Sequence, residues 1–486
     1  MRANILCAGF GTRLRPFTYL KPKPLLVIGG QPLVERTIRL LKADGVDDIA
    51  LVVGYKHESF EYLVEKYGVQ LIVSGQYATA NNFSSLQLVA HRLGNSFVID
   101  GDTYIRRPVV PLLRPGVSQF ICQKTLQGLE WELVTDADGR VLEVRKDSPS
   151  GYSMSGVSWW TEEAAALLRQ ELDRSGPDDY WEDSVIRILD KVPVHATPVD
   201  MLLCEIDSLQ DARALGLLTA DEVADQCSET MMAEKVAAGE DDVYHIRQEG
   251  RPLVLRIPGQ ERAGRISSGQ EAFMTSLAQA AGLTPESRFY AGGIMTRALL
   301  ADALPLEEAV PVEQVPSLLA DALHRLHGIP VPAGDAEGSR SSLLAGMQAA
   351  ERQAGTAFLA ADERELLYGF AAEMDEDAPC FCHGDCSPGR ILYQEGGCLF
   401  IDFMHACVGS PYWDHAVAAL TFGFDGNQLA TFCRRAGGDE GRLCRAMTVV
   451  AYMRALRAFG DGRAREARHW LAGMDAQLLC LGAVRG

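Results

Sequence analysis

Over residues 1 to about 110, short apolar runs alternate with amphipathic stretches, and this alternation constrains the fold more than any other property of the chain. After a first apolar run and a glycine turn come "PLVERTIRLLKADG", with helical spacing to Gly45, and the strand-like "DDIALVVGY". "HESFEYLVEKYG", stopped by Gly68, "VQLIVS", "NNFSSLQLVAHRLG", capped by Asn82, and "SFVIDGDTYI" continue the series. Strand-helix-strand order of this kind predicts an α/β domain with a mixed, mostly parallel sheet and helices on its faces.

From about 117 to 160 the pattern becomes β-rich, with "WELVTDADGRVLEVRK" read as a hairpin around Asp138-Gly139. Two helical stretches and "EIDSLQDARAL" close this part near residue 218. The polar stretch 219–240 has no strong period, which places the boundary between a first domain, 1–222, and a second, 223–486. The second opens with a hairpin, "DVYHIRQEGRPLVLRIPG", and continues mainly as helices.

At 486 residues the chain has material for two cores. Acids outnumber bases by 65 to 46, for a net charge of −19, which excludes a general nucleic-acid or anionic-membrane surface but leaves room for a local basic pocket. The run Ile5 to Phe10 is too short for a signal peptide and no segment reaches membrane-spanning length, so a cytoplasmic enzyme is expected. The 12 cysteines are read as reduced thiols, with Cys380, Cys382 and Cys386 around His383 as an alternative metal cluster.

The first turn reads "CAGFGTRLRPFTYLKPKPLL". Glycine without a Cβ lets anions approach backbone N–H groups, and Arg13 and Lys23, the latter between two prolines, supply charge suited to a triphosphate. Farther on, "VIDGDTYI" puts Asp100 and Asp102 on one face at a strand's carboxyl end, where ligands bind in open α/β sheets. One or both suit Mg²⁺, and Glu205 or Asp207 of "EIDS" offers a further ligand.

"AGFGTRLRPFTYLKPKPLLVIGGQPLVE" resembles the signature of the sugar-nucleotide and related nucleotidyltransferases, which carry a Rossmann-like domain. Through "VVGYKHESFEYL", "YATANNFSSLQLV", "LEWELV", "SGVSWW", "DDYWEDSV" and "EIDSLQD" the resemblance narrows to the bacterial CTP:phosphocholine cytidylyltransferases, over roughly residues 1–217. The resemblance implies that Ala8, Gly9, Gly11 and Thr12 hold the nucleotide, that Arg13 and Lys23 contact its phosphates, and that Asp102 and Asp207 bind Mg²⁺. It also implies CTP as donor and attack by an acceptor phosphate or phosphonate oxygen on the α-phosphorus, work done by alignment and charge neutralisation.

For the acceptor's far end, Trp131, Trp159, Trp160, Tyr180 and Trp181 lie beside Glu130, Glu132, Glu182 and Asp183, a composition suited to a cation. Trp159 and Trp160 point to opposite faces of a strand, so at least one belongs to the core, and Trp131 and Trp181 are the first choices. Phosphocholine is the leading acceptor; 2-aminoethylphosphonate or phosphoethanolamine would lean more on the carboxylates. A sugar 1-phosphate acceptor and a nucleotide-sensing regulatory protein are the rival readings, and a homodimer is compatible with each.

"CFCHGDCSPGRILYQEGGCLFIDFMHACVGSPYWDHA" and "LADALHRLHG" resemble the choline kinases and aminoglycoside phosphotransferases, which implies a bilobal kinase-like α+β domain over about 230–430. There Arg256 of "PLVLRIPG" would be the nucleotide-binding cation, Asp385 would orient the substrate hydroxyl and Asp402 would hold Mg²⁺. Arg390 stands where that family has a metal-binding Asn, and a guanidinium cannot ligate Mg²⁺. The acids of "AAGEDD" also oppose phosphate binding. The domain is therefore expected to be degenerate, with a bifunctional kinase and cytidylyltransferase as the alternative.

Overall fold

The computed structural model describes residues 1–125, 130–154, 156–206, 209–229, 233–238, 241–259, 268–332, 340–355 and 358–480. It divides into two compact units, Met1–Gly259 with Tyr290–Ile294, and Gln260–Phe289 with Met295–Gly486.

The first unit is built on a seven-stranded mixed sheet. Its strands are β1 (Arg2–Cys7), β2 (Asp48–Val53), β3 (Gln70–Val73), β4 (Ser96–Asp100), β5 (Ser118–Cys122), β6 (Val157–Trp160) and β7 (Val194–Pro198), in the order β7-β5-β6-β4-β1-β2-β3. β1 pairs in parallel with β2 and β4, β2 with β3, and β5 with β7, while β6 runs antiparallel between β4 and β5. The near-continuous apolar runs of β1 and β2 fit strands covered on both faces: Ile5 and Leu51 sit in one core cluster, Leu6 and Val52 in another. The turns after β1 and β4 place the carboxyl ends of these two strands around one cavity.

Several local expectations change. Asn82 occupies a helix start, yet its side chain makes no cap; Oδ1 instead accepts from the Trp181 N–H and Nδ2 donates to Glu182. The stretch read as lacking a period contains helix Ala220–Cys227, opened by a Thr219–Glu222 capping box. Its Val223, Ala224 and Cys227 share a core with Phe17, Ile28, Tyr244, Ile246, Leu255 and Ile257. The hairpin Asp241–Gln248 with Arg251–Pro258 thereby packs within the first unit, and Gln248 Nε2 donates to the Pro16 carbonyl at 3.2 Å.

The second unit is mainly helical. Helices Val315–His327, Pro411–Phe422 and Glu440–Gly460 share one apolar core with Phe381, Phe400 and Phe403, which come from or follow short strands. Strand Cys380–Cys382 pairs antiparallel with Cys407–Gly409, and Ile391–Gln394 with Gly397–Phe400. No helix among the described residues is long and apolar enough to cross a membrane.

Candidate active site

The cavity in the first unit has a volume of about 940 Å³. Its floor is made by the end of β1, where Gly11 adopts φ +61°. A Cβ there would stand 2.9 Å from the Lys23 Cβ and 3.1 Å from Thr18 Cγ2, so glycine is what lets the turn close over Lys23. The turn is pinned by the Thr18 hydroxyl and the Leu14 N–H, both donating to the Gly11 carbonyl at 3.0 Å. Ala8, Gly9, Thr12 and Arg13 line the same floor, with Arg13 exposed at the rim.

Lys23 is only 8% exposed, and its ammonium lies 2.9 Å from Asp102 Oδ2. Gly101 lets the acidic strand end approach: its N–H donates to the Leu6 carbonyl at 2.8 Å, and a Cβ would fall 2.6 Å from Cys7 Sγ. The next strand, Thr103–Ile105, pairs antiparallel with Leu203–Glu205, setting Glu205 opposite Thr103, on the cavity wall. The Ile206 N–H then reaches the Asp102 carbonyl at 3.4 Å. Asp207 lies outside the described residues.

Six carboxylates, Asp100, Asp102, Glu130, Asp147, Glu182 and Glu205, line this cavity with the cations Arg13, Lys23 and Lys146. Crowding has consequences. Burial first, then Glu182 and Asp102, push the Asp100 carboxyl well above its usual range against the opposing pull of Lys23. Burial raises Glu182 to about 7, with Asn82 hydrogen bonding acting the other way. Asp102 Oδ1 is buried and has no hydrogen-bond partner among the described residues. An orphaned carboxylate oxygen among excess acids fits a divalent cation held by hard oxygen ligands.

At the other end, the Trp131 and Tyr180 rings meet edge to face at 5.7 Å. Lys146, from the second strand of hairpin Glu130–Thr135 and Val141–Ser148, lays its ammonium 4.1 Å from the Trp131 ring centre. The same ammonium donates to Asp183 Oδ1 at 2.7 Å, while Asp183 also accepts from the Tyr180 N–H. The Lys146 ammonium is thus held by one wall ring, Trp131, and by one carboxylate, Asp183, that does not itself line the cavity.

Trp159 and Trp181 do not reach the cavity wall. β6 lies between β4 and β5 with both faces covered, so Trp159 packs on Phe97 at 4.9 Å and Trp160 is fully buried. Trp181 begins a six-residue helix and turns inward, stacking on Phe120 at 6.1 Å. Sequence reasoning also passed over Phe10 and Tyr77, in contact at 5.3 Å, and over Asn81, Lys146 and Asp147. Lys146 carries no motif signal, and the register shift between Arg145 and Ser148 removes strand alternation as a clue.

In the second unit the Arg390 guanidinium closes on the Asp402 carboxylate and stands 3.8 Å from Asp385 Oδ2. Arg454 takes the other Asp385 oxygen at 3.2 Å. Asp414, fully buried, accepts from the His383 and Gly384 N–H groups, both at 2.8 Å, and so fixes the loop that carries Asp385. Arg256 belongs to the first unit and lies 3.6 Å from Asp241, both side chains nearly buried.

Residues 3–119 match the MobA-like NTP transferase domain, and residues 233–447 the phosphotransferase enzyme family. A choline-phosphate cytidylyltransferase of Streptococcus pneumoniae is 39% identical over 221 residues, which cover 44% of this chain and 96% of that protein. A second, of Haemophilus influenzae, is 32% identical over 43% of this chain and 94% of its own length. A 2-aminoethylphosphonate cytidylyltransferase of Lancefieldella rimae is 30% identical over 44% and 90%. Through its N-terminal part the chain belongs to the choline-phosphate cytidylyltransferase family of nucleotidyltransferases, and it continues into a kinase-like domain of the phosphotransferase type.

Proposed function

We propose that the first unit transfers CMP from CTP to phosphocholine, releasing pyrophosphate and forming CDP-choline. An acceptor phosphate oxygen attacks the α-phosphorus, the bond to the β-phosphate bridging oxygen breaks, and pyrophosphate leaves with that electron pair. Both reactants are anions, so the residues at hand act by position and charge. The glycine turn offers backbone N–H groups to the phosphates, Arg13 approaches them from the rim, and Lys23 from the buried side. The carrying observation is the Lys23–Asp102 pair at 2.9 Å beside an unpartnered Asp102 oxygen.

Mg²⁺, bound at Asp102 with Glu205 beside it and Asp207 as the further ligand expected from the family pattern, would supply neutralisation of the triphosphate. Trp131, Tyr180 and Asp183 would receive the acceptor's cationic end in place of the Lys146 ammonium. A second acceptor is favoured by one contact: the ammonium now there is a primary one and donates to Asp183 at 2.7 Å, as the amine of 2-aminoethylphosphonate or phosphoethanolamine would. The kinase-like domain is read as unable to transfer phosphate from Mg²⁺-ATP, because Arg390 occupies both acids such chemistry needs.

Pyrophosphate release with CTP and each acceptor tests this. Highest kcat/KM with phosphocholine supports the reading; preference for an aminophosphonate moves the acceptor; no release with any of them overturns it. Phosphorylation of choline or ethanolamine by ATP that disappears in Asp385→Ala would establish the kinase.

A further inference from the structure

Beneath the altered kinase-like loop lies a cluster that neither reaction uses. Cys380 and Cys382, two apart on a strand and so on one face, hold their sulfurs 3.7 Å apart. His327, the last residue of helix Val315–His327, offers a ring nitrogen, and the three ligand atoms lie within 4.8 Å of one another. Cys407 stands opposite Cys382 in the antiparallel register but is not part of this trio.

His383, the histidine nearest in sequence, is spoken for. Its Nε2 donates to the Ile401 carbonyl at 3.1 Å and its Nδ1 accepts from the Asp385 N–H at 3.3 Å. His327 differs: Nε2 lies 3.0 Å from buried Asp414 Oδ2, and in the neutral ring that donates there Nδ1 is the lone-pair nitrogen. A carboxylate holding the far nitrogen of a ligating histidine is the usual outer partner of a bound metal.

We propose that His327, Cys380 and Cys382 bind a zinc ion, with the fourth position left to water. Thiolate and imidazole ligands select a soft or borderline divalent metal over Mg²⁺. Tetrahedral Zn²⁺ with sulfurs at ~2.3 Å separates two of them by about 3.8 Å, close to the spacing already present. The ion would tie the helix ending at His327 to the strand entering His383-Gly384-Asp385, and Asp414 would connect it to that loop's N–H groups. It would be structural, unlike the Mg²⁺ of the phosphotransferases.

The test is metal content of the full chain, purified without chelator under reducing conditions. About one zinc per chain is expected, falling at least tenfold in Cys380→Ser and Cys382→Ser, with a Cys444→Ser control unchanged. Cobalt substitution should give thiolate charge-transfer absorption that those two variants lose and Cys407→Ala leaves unchanged. Because Cys382 is buried, circular dichroism and CTP-dependent pyrophosphate release serve as folding checks, and the half-buried Cys380 variant carries the result if the other misfolds. A metal-free chain that fails to compete with a chromophoric chelator for added Zn²⁺, metal content indifferent to both serines, or a Cys382–Cys407 disulfide in the reduced preparation would overturn the site.

Discussion

Lys23→Met removes the buried cation at the centre of the proposed chemistry while keeping most of its aliphatic volume. The lost ammonium sits 2.9 Å from Asp102 and faces the space where a triphosphate would lie. At an effective dielectric of 20, one charge pair at ~4 Å is worth about 4 kcal/mol. Loss of a single preorganised donor at a developing charge costs about 2.7–4 kcal/mol, or roughly 10²–10³ in kcat. Both routes predict a fall of that size. Steady-state pyrophosphate release at saturating acceptor, with CTP varied, separates kcat from KM, and thermal unfolding checks that the variant folds. Lys23→Arg should restore little, because Lys23 is only 8% exposed and a larger planar guanidinium would have to fit where its ammonium now meets Asp102. A folded Lys23→Met enzyme within tenfold of wild type in kcat/KM would refute the assignment of Lys23 to the reacting phosphates.

Three further outcomes follow from the same geometry. Gly101→Ala, whose Cβ would meet Cys7 Sγ at 2.6 Å and the Leu6 carbonyl at 2.8 Å, should cost about 1–3 kcal/mol in unfolding free energy and displace Asp100 and Asp102. Denaturant melts and turnover measured together should both fall, and unchanged values would show that the strand ends have slack. Lys146→Gln frees the Trp131 face; with cation–π contacts worth about 0.5–2 kcal/mol, acceptor KM should drop roughly two- to thirtyfold while CTP KM stays fixed. Trp131→Ala should raise it, and a rise in both variants would place Lys146 on the acceptor's anion instead. Arg390→Asn removes the guanidinium from Asp402 and Asp385. Calorimetry should then show Mg²⁺-dependent ATP binding absent from the parent, and equal binding in the two would mean that Arg390 does not exclude the metal.

The sheet was readable because strands covered on both faces are apolar throughout, and β1 and β4 each stop at a turn whose glycines or acids line the cavity. Trp159 was unreadable for the converse reason, and Trp181 because the first residue of a short helix turned inward onto Phe120. Whether a strand tryptophan faces a ligand depends on the spatial order β5-β6-β4, set by pairings distant in sequence. Helix Ala220–Cys227 hid in a polar stretch because eight residues carry too few apolar positions to show a period. Lys146 reached Trp131 only through hairpin pairing, and His327 met Cys380 only through helix packing. Local patterns gave the elements, and long-range contacts decided which side chains share a site.

The central claim is that one cavity joins CMP to a cationic phosphate. Phosphorus NMR of the full chain with CTP, Mg²⁺ and phosphocholine tests it most directly. The account predicts equal growth of pyrophosphate and of a coupled pair of diphosphate-diester resonances, both absent in Lys23→Met. Growth of inorganic phosphate and CDP without the coupled pair, or a spectrum of unchanged CTP with every acceptor, would contradict it.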